Sequence, residues 1–311
     1  MEKILGYTVL LGITGPFLLP VINPLSKNLR NIIAVTIVFL LFILNCVLMH
    51  NTLSTDASYT ITFIPYLHLE LTLRLDPLSA FMAVISSLTS LAIVIYSIDY
   101  ISHYENQTEY YTMVILFIGA MMGLVYTTNL VWMYIFWEIT AFTSWRLVGF
   151  FRSDKDTLKA NKTILVTVFG AIVMLAGIIH VGLTYDTFDM TKLVGNEIKL
   201  LPAILILAGI FSKSAILPFS TWLPDAGVAP STVTALLPAA VLVKIGVFAY
   251  AKIFGTVFYP SPELNNIVLI VTGITAVVSG GTALVETDIK RIIAYSTISQ
   301  LSFIFLGLAT G

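Results

Sequence analysis

Apolar residues dominate the chain in long runs, which short polar segments separate. A helix that spans a bilayer needs about 20 mostly apolar residues, and ten segments meet that requirement. The predicted spans cover residues 4–22, 31–49, 77–97, 110–128, 130–150, 162–184, 201–223, 229–253, 264–285 and 290–309. The first run has neither a basic leader nor a small-residue cleavage site, so we expect a permanent helix there. The pattern predicts an all-α integral membrane protein with about ten transmembrane helices.

One loop, residues 50–76, has a different pattern. Leucines alternate with polar residues from Leu67 to Asp76, with His68 the first polar member, and this period of two is typical of a half-buried strand. Residues 59–63 would form the partner strand, with Pro65 near the turn. We predict a small extramembranous β-hairpin at about residues 59–76 that covers one end of the bundle.

Composition narrows the class of protein. Of 311 residues, 58% are hydrophobic and only 11% are charged, whereas a soluble domain carries roughly a quarter charged residues. A soluble enzyme is therefore nearly excluded. The net charge of -1 argues against a nucleic-acid partner, because phosphate contacts need a basic patch. The single cysteine, Cys46, excludes a disulfide framework and a cysteine metal cluster.

Basic residues in the loops divide unequally between the two sides of the predicted bundle. One side holds Lys27, Arg30, Arg152, Lys155, Lys159, Lys162, Lys290 and Arg291. The other side holds Lys3, Arg74, Lys192, Lys199 and Lys252. The side richer in basic residues is expected to face the cytoplasm. We therefore predict a multi-pass protein of the cell (inner) membrane with both termini outside.

Four charged residues fall within predicted spans and away from the span ends. Glu138 lies near the middle of the fifth span, Lys213 near the middle of the seventh and Lys244 in the eighth. Arg146 is nearer the cytoplasmic end of the fifth span, where a long side chain reaches the interface. Charges at bilayer depth are costly, so each is a candidate functional residue.

A proton relay and static ion pairing are both compatible with these residues. Burial disfavours the charged form of an amine and a nearby carboxylate favours it, so a small motion between Glu138 and Lys213 would make the lysine bind or release a proton. Lys244 could then receive that proton through water. The alternative is a fixed Glu138–Lys213 pair that fastens two helices. Arg146 is an interface anchor or a relay member, and arginine does not give up its proton.

Prolines predict breaks in two spans beside these lysines. Pro218 cannot donate to the carbonyl of Ser214, so the seventh span should break one turn beyond Lys213. Pro238 similarly frees the carbonyl of Thr234 ahead of the lysine of the eighth span. Freed carbonyls at membrane depth are tolerated where protein or water satisfies them, as in the broken helices of transporters. Ser214 and Thr234 are therefore candidate path-lining residues.

Charges at span ends carry weaker signals. Asp225 and Lys290 are expected to be solvated or to face headgroups, although Asp225 is also a candidate mouth for a proton path and Lys290 a candidate interface residue. His180, in the sixth span, is either a packed polar residue or a ligand. No cluster has metal-ligand spacing, and no arrangement suggests covalent catalysis or a bound redox centre. We expect no cofactor and no metal in this chain.

Four segments together resemble one known family. They are Phe136-Trp-Glu-Ile-Thr-Ala-Phe-Thr-Ser144, Phe211-Ser-Lys-Ser-Ala-Ile-Leu-Pro-Phe-Ser-Thr-Trp-Leu-Pro-Asp225, Val243-Lys-Ile-Gly-Val247 and Asp288-Ile-Lys-Arg-Ile-Ile-Ala-Tyr-Ser-Thr-Ile-Ser-Gln300. The family is that of antiporter-like proton-channel subunits, found in respiratory complex I, membrane-bound hydrogenases and multisubunit Mrp-type cation/proton antiporters. The resemblance covers essentially the whole chain.

The resemblance implies a relay and a repeat architecture. In the family a glutamate of the fifth helix pairs with a lysine of the broken seventh helix, and a residue of the eighth helix continues the axis. The matching positions here are Glu138, Lys213 and Lys244. The family core is a pair of inverted five-helix repeats, which implies three regions: N-terminal helices and hairpin (1–109), a complete first repeat of helices 4–8 (110–254), and two helices of an incomplete second repeat (255–311).

The sequence also departs from the family. Members usually have about fourteen helices, so the chain looks shortened after the tenth and lacks the residue that hands the proton to the far side. Pro238 stands where some members have a histidine, and Arg146 replaces a usually apolar residue. We expect a separate chain to complete the second repeat.

The resemblance implies a function within a larger assembly. We expect a subunit that translocates protons, or exchanges Na⁺ for protons, in a membrane complex with other subunits. The complex would be an ion-translocating oxidoreductase, with the redox chemistry in a partner, or a cation/proton antiporter. The alternative is a non-conducting scaffold subunit of the same kind of complex. A dry interior between Lys213 and Lys244 would favour the scaffold.

Overall fold

The computed structural model describes residues 2–52, 58–64 and 69–310, which form two compact units, Met1–Phe150 and Phe151–Gly311. The N-terminal unit contains α1 (Glu2–Thr14), α2 (Leu18–Ile22), α3 (Lys27–Asn51), β1 (Ser58–Ile64), β2 (Leu69–Arg74), α4 (Pro77–Tyr100), α5 (Gln107–Tyr126) and α6 (Leu130–Val148). The C-terminal unit contains α7 (Asp154–Tyr185), α8 (Met190–Leu193), β3 (Asn196–Glu197), α9 (Leu200–Lys213), α10 (Trp222–Asp225), α11 (Ser231–Thr234), α12 (Lys244–Lys252), β4 (Phe258–Tyr259), α13 (Pro262–Val285) and α14 (Ile289–Thr310).

Side-chain caps fix where several of the long helices begin. At each of these starts an oxygen of the N-cap side chain accepts a backbone N–H of the first turn, which would otherwise lack a partner. The capping residues are Ser26, Asp76, Asn129, Ser153 and Ser261. Proline follows the cap of α4 and of α13, where its missing N–H costs nothing.

The N-terminal unit is built around α5, which is buried over nearly its whole length. Helices α1, α3, α4 and α6 all pack against it. The closest approach is between α1 and α5, where a Cβ on Gly12 would lie 2.4 Å from the Cα atom of Gly119. Two glycines at this crossing let the two backbones touch, which a larger residue on either helix would prevent.

The predicted hairpin is present. Strands β1 and β2 are antiparallel, with Tyr59 opposite Leu73 and Ile61 opposite Leu71, while Pro65, Leu67 and His68 lie outside the described residues. Leu71 and Leu73 are buried, as the alternation predicts. The carbonyl of Thr72 accepts the N–H of Thr128 at 2.9 Å. The hairpin is thus fastened to the connection between α5 and α6.

The C-terminal unit contains two closely packed helix pairs, α7 with α9 and α13 with α14. A short parallel pairing of β3 with β4 lies at the end of the unit where α7 ends and α13 begins. Two π-helical turns, Ala235–Ala240 and Ile253–Val257, flank α12. The segment from Ser231 to Val257 is therefore one span that is α-helical only in part.

Eight helical segments of the described residues are long and apolar enough to cross a membrane. They are Glu2–Ile22, Lys27–Asn51, Pro77–Tyr100, Gln107–Tyr126, Asp154–Tyr185, Ser231–Val257, Pro262–Val285 and Ile289–Thr310. The remaining two predicted spans correspond to α6 and to α9, which with 14 residues is too short to cross a bilayer alone. The chain is a multi-pass helical membrane protein, with eight clear spans where ten were expected.

Candidate functional site

The seventh predicted span breaks at Lys213 itself, which is the last residue of α9 and is completely buried. Ala215 adopts the left-handed conformation with φ of 55°. The N–H of Ile216 donates to the carbonyl of Phe211 at 2.9 Å, which is the bond that closes a helix in a Schellman motif. The break was predicted one turn later, from Pro218. It begins earlier because the turn at Ala215 ends the helix before the proline is reached.

The eighth predicted span breaks between Pro238 and Lys244. Pro238 lies inside the wide π-helical turn that follows Thr234, the last residue of α11. Helix α12 begins at Lys244, and the ammonium of Lys244 donates to the carbonyl of Ala239 in the preceding turn. A break ahead of Lys244 was predicted from Pro238, and the described structure contains one. Wide turns of this kind are frequent at functional sites.

The two breaks meet. The hydroxyl of Ser214 donates a hydrogen bond of 2.9 Å to the carbonyl of Val243, so the residue after Lys213 contacts the residue before Lys244. Gly246 permits this approach, because a Cβ there would lie 2.1 Å from Ser214 Oγ. Ser214, predicted as path-lining, thus joins the two interrupted helices inside the C-terminal unit.

Helix ends impose opposite fields on the two lysines. The C-terminus of a helix carries about half a negative charge and the N-terminus about half a positive charge, an effect worth typically 0.3–1 kcal/mol each. Lys213 is at the C-terminal end of α9 and Lys244 is at the N-terminal end of α12. The end of α9 therefore favours a positive charge at Lys213. The start of α12 disfavours one at Lys244, and the carbonyl of Ala239, which accepts a hydrogen bond from the Lys244 ammonium, offsets part of that effect.

Glu138 lies on α6 in the N-terminal unit. Its carboxylate accepts a hydrogen bond from the hydroxyl of Tyr134, one turn earlier on the same helix, and its Oε1 atom is buried. Lys213 and Lys244 belong to the other unit. The pairing of Glu138 with Lys213 stays a prediction.

Arg146 is held by an acidic residue that sequence reasoning did not single out. Its Nε donates to Glu109 Oε1 at 2.7 Å, and its Nη2 contacts the same oxygen. Glu109 lies in the first turn of α5, and the guanidinium also lies 5.4 Å from the ring of Trp145. The ion pair ties the end of α6 to the start of α5. The position of Glu109 at the predicted cytoplasmic end, level with Arg146, was the available signal.

Asp225 takes part in an ion-pair network at one end of the C-terminal unit. Its carboxylate lies 2.7 Å from the ammonium of Lys162 on α7 and 3.6 Å from the guanidinium of Arg291 on α14. Arg291 also binds Glu286 at 2.8 Å. The network joins α10 to helices α7 and α14, so the candidate path mouth is also a structural junction.

Lys290 and His180 lie apart from the two helix breaks. The ammonium of Lys290 donates to the carbonyls of Gly227 at 3.0 Å and Ala229 at 2.8 Å, which fixes the connection between α10 and α11. His180 is half-exposed on α7. Among the residues that the structure describes, no group of three or more His, Cys, Asp or Glu side chains could hold a metal.

Lys252 lies in a helix and not in a loop. It was counted with the loop lysines, but it is the last residue of α12, lies before the end of the candidate span Ser231–Val257, and is 6% exposed. The helical segment continues beyond it through the π-helical turn to Val257. The apolar residues Ile253 and Phe254 that follow Lys252 were the signal that the span does not end there.

Comparisons with known proteins agree with this architecture. Residues 127–311 match the family model described as "NADH:quinone oxidoreductase/Mrp antiporter, TM". Residues 61–111 match "NADH-Ubiquinone oxidoreductase (complex I), chain 5 N-terminus". The chain is 32% identical over 320 residues to a Na(+)/H(+) antiporter subunit A1 of Staphylococcus haemolyticus, and 32% identical to that of Staphylococcus aureus. These alignments cover 99% of this chain and 40% of each relative.

Solved structures show the same fold. A chain of the Mrp complex from Dietzia sp. DQ12-45-1b superposes with a TM-score of 0.89 at 27% identity, over 99% of this chain and 34% of that one. A chain of the membrane-bound sulfane sulfur reductase, an archaeal respiratory membrane complex, also gives a TM-score of 0.89, at 22% identity, over 99% and 65%. Because one family model matches more than half of the residues, this chain belongs to the antiporter-like membrane subunit family of NADH:quinone oxidoreductases and Mrp antiporters.

Proposed function

We propose that this chain translocates protons as one subunit of a multisubunit membrane complex, along an axis formed by Glu138, Lys213 and Lys244. The observation that carries the proposal is the contact between the two helix breaks, where Ser214 binds the carbonyl of Val243. Each break adjoins a lysine, and both lie within one unit. Irregular backbone of this kind at membrane depth is tolerated where it lines a polar path or is buried in protein.

Proton transfer along the axis would proceed by binding and release at amines. A proton held at Lys213 leaves its Nζ, passes through water and binds Nζ of Lys244. The carboxylate of Glu138 stabilises the ammonium form of Lys213 when the two are close, and this stabilisation is lost when they move apart. The position of the Glu138 carboxylate would therefore determine whether Lys213 or Lys244 is protonated. Arg146 is outside this sequence, because its guanidinium keeps its proton.

The energy of moving a proton across the membrane potential is similar in size to the electrostatic effects of the helix ends on the two lysines. Moving one charge across 100 mV of membrane potential is worth about 2.3 kcal/mol. The fields of the two helix ends supply up to about 2 kcal/mol each in favourable, partly buried geometry. Changes in local electrostatics at Lys213 and Lys244 are therefore large enough to couple proton position to an external driving force.

The amine axis favours H⁺ over Na⁺ as the ion that this chain carries. A lysine nitrogen binds a proton covalently, whereas hard cations such as Na⁺ take oxygen ligands and are repelled by an ammonium. If the complex exchanges Na⁺, we propose that the Na⁺ step is performed elsewhere in it. The driving force would be either a redox reaction in a partner subunit or the gradient of the exchanged cation.

The inverted-repeat organisation also belongs to the proposal. Residues 110–254 would form the first five-helix repeat, and residues 255–311 the first two helices of a second. The relatives extend far beyond the matched part, since the chain spans 40% of their length. We propose that helices outside residues 1–311 form the exit half of the path. The predicted orientation, with both termini outside, follows from the loop charges alone.

Transport by the reconstituted complex tests the proposal. The native complex, purified through a tag on this chain, is placed in liposomes with a pH-sensitive dye inside. Lys213→Ala and Glu138→Gln are expected to abolish proton transport while the subunit composition of the complex stays unchanged. Lys199→Ala, which removes an exposed lysine just before α9, is the matched control and should transport normally.

Two results would contradict the proposal. Unchanged proton transport in both Lys213→Ala and Glu138→Gln would remove the relay. Full transport in Lys244→Leu, together with a dry interior between Lys213 and Lys244 in a density map of the complex, would favour the scaffold role.

A further inference from the structure

A second lysine of α12 is buried inside the span. Lys252 is 6% exposed and is the last residue of the helix that Lys244 begins. A lysine at membrane depth is costly, and such residues usually mark ion pathways or proton relays. The axis of Glu138, Lys213 and Lys244 does not account for a buried lysine at position 252.

Lys244, Phe248 and Lys252 follow one another at intervals of four residues, which places them along one face of α12. The Cα atoms of the two lysines are about 12 Å apart at a rise of 1.5 Å per residue. Helical side chains lean toward the N-terminus, and the ammonium of Lys252 lies 5.4 Å from the centroid of the Phe248 ring. Its charged end thus points back toward Lys244, and the ring lies between the two lysines.

The backbone on both sides of α12 is irregular. The π-helical turn Ala235–Ala240 precedes Lys244, and the π-helical turn Ile253–Val257 follows Lys252 directly. The hydroxyl of Thr256 donates to the carbonyl of Lys252 at 2.6 Å within the second turn. Each lysine of α12 therefore adjoins a wide turn, and such turns are frequent at functional sites.

We propose that Lys252 is a further proton-binding residue, which receives protons from Lys244 and passes them toward the end of the unit formed by β3 and β4. This inference rests on the proposed function. One N–H bond breaks at Nζ of Lys244 and one forms at Nζ of Lys252, through intervening water, so a single positive charge moves along the helix face. The ring of Phe248 stabilises the ammonium at Lys252 through its negative face and separates the two amines.

Substitution of Lys252 by arginine separates this role from a structural one. Arginine keeps the positive charge and the contact with an aromatic ring, but it does not release its proton. Lys252→Arg and Lys252→Met are compared with wild type in the reconstituted complex, with proton transport expressed per assembled complex. Lys192→Met, on the exposed turn α8, is the matched control.

We expect both Lys252 variants to transport protons more slowly by at least about tenfold, which is below the 10²–10⁴ that a positioned proton-transfer group contributes. The control should match wild type. Wild-type transport by Lys252→Arg would overturn the inference, because a fixed charge would then suffice. Lys213→Ala is measured in parallel. If Lys213→Ala loses proton transport while Lys252→Arg keeps it, the role of Lys252 is rejected and the rest of the axis stands. If both variants transport protons normally, the whole axis is rejected.

Discussion

The hydroxyl of Ser214 donates a hydrogen bond of 2.9 Å to the carbonyl of Val243, and this contact ties the end of α9 to the start of α12. Lys213 precedes the donor and Lys244 follows the acceptor. A backbone carbonyl at membrane depth that lacks a partner is destabilising. Ser214 therefore both satisfies part of the broken backbone and fixes the relative position of the two lysines.

Ser214→Ala is expected to slow proton transport and to destabilise the complex slightly. Loss of one hydrogen bond to a buried carbonyl costs about 1 kcal/mol, which should lower the thermal midpoint in detergent by a few degrees. Ser302→Ala is the control, because the hydroxyl of Ser302 is equally buried but bonds only to Ile298 of its own helix. Equal transport in the two variants would show that the contact between the breaks has no part in the function.

Gly246→Ala should destabilise the C-terminal unit, whereas Gly273→Ala should not. A Cβ at Gly246 would lie 2.1 Å from Ser214 Oγ and 2.7 Å from the carbonyl oxygen of Ile210, and overpacking of this kind costs about 1–3 kcal/mol. At Gly273, on α13, no atom lies within 4 Å of the added carbon, so the higher helix propensity of alanine should stabilise by up to about 1 kcal/mol. A lower thermal midpoint than wild type for Gly246→Ala and a higher one for Gly273→Ala would confirm the close approach. A lower thermal midpoint for both variants would contradict it.

Much of the fold was predictable because its causes are local. Runs of apolar residues and the caps that precede them set the helices, and the alternation around Leu71 and Leu73 set the hairpin strand. A break in the seventh predicted span was expected near Pro218, but α9 ends one turn earlier, at Lys213. That position depends on the left-handed turn at Ala215, and an alanine gives no sequence signal for such a turn.

The candidate site was predictable residue by residue, and its contacts were not. The cost of burying a charge identified Lys213 and Lys244 from hydropathy alone. The bond between Ser214 and Val243 joins residues 29 positions apart, and no periodicity encodes it. Lys252 was counted with the loop lysines because it lies one residue before the predicted end of the span at residue 253. A π-helical turn continues the helical segment to Val257.

Arg146 and Glu109 are expected to act as a structural pair and not as part of the proton path. Both side chains are about 30% exposed, and pairs of this kind contribute about 0.2–1 kcal/mol. Thermal midpoints of the complex carrying Arg146→Gln, Glu109→Gln and both changes form a double-mutant cycle, in which we expect a coupling energy within that range. Proton transport by Arg146→Gln should stay near wild type, because the guanidinium does not exchange its proton. Lost transport at unchanged stability would instead assign Arg146 to the relay, since the loss would then come from the charge and not from weaker packing of α6 on α5.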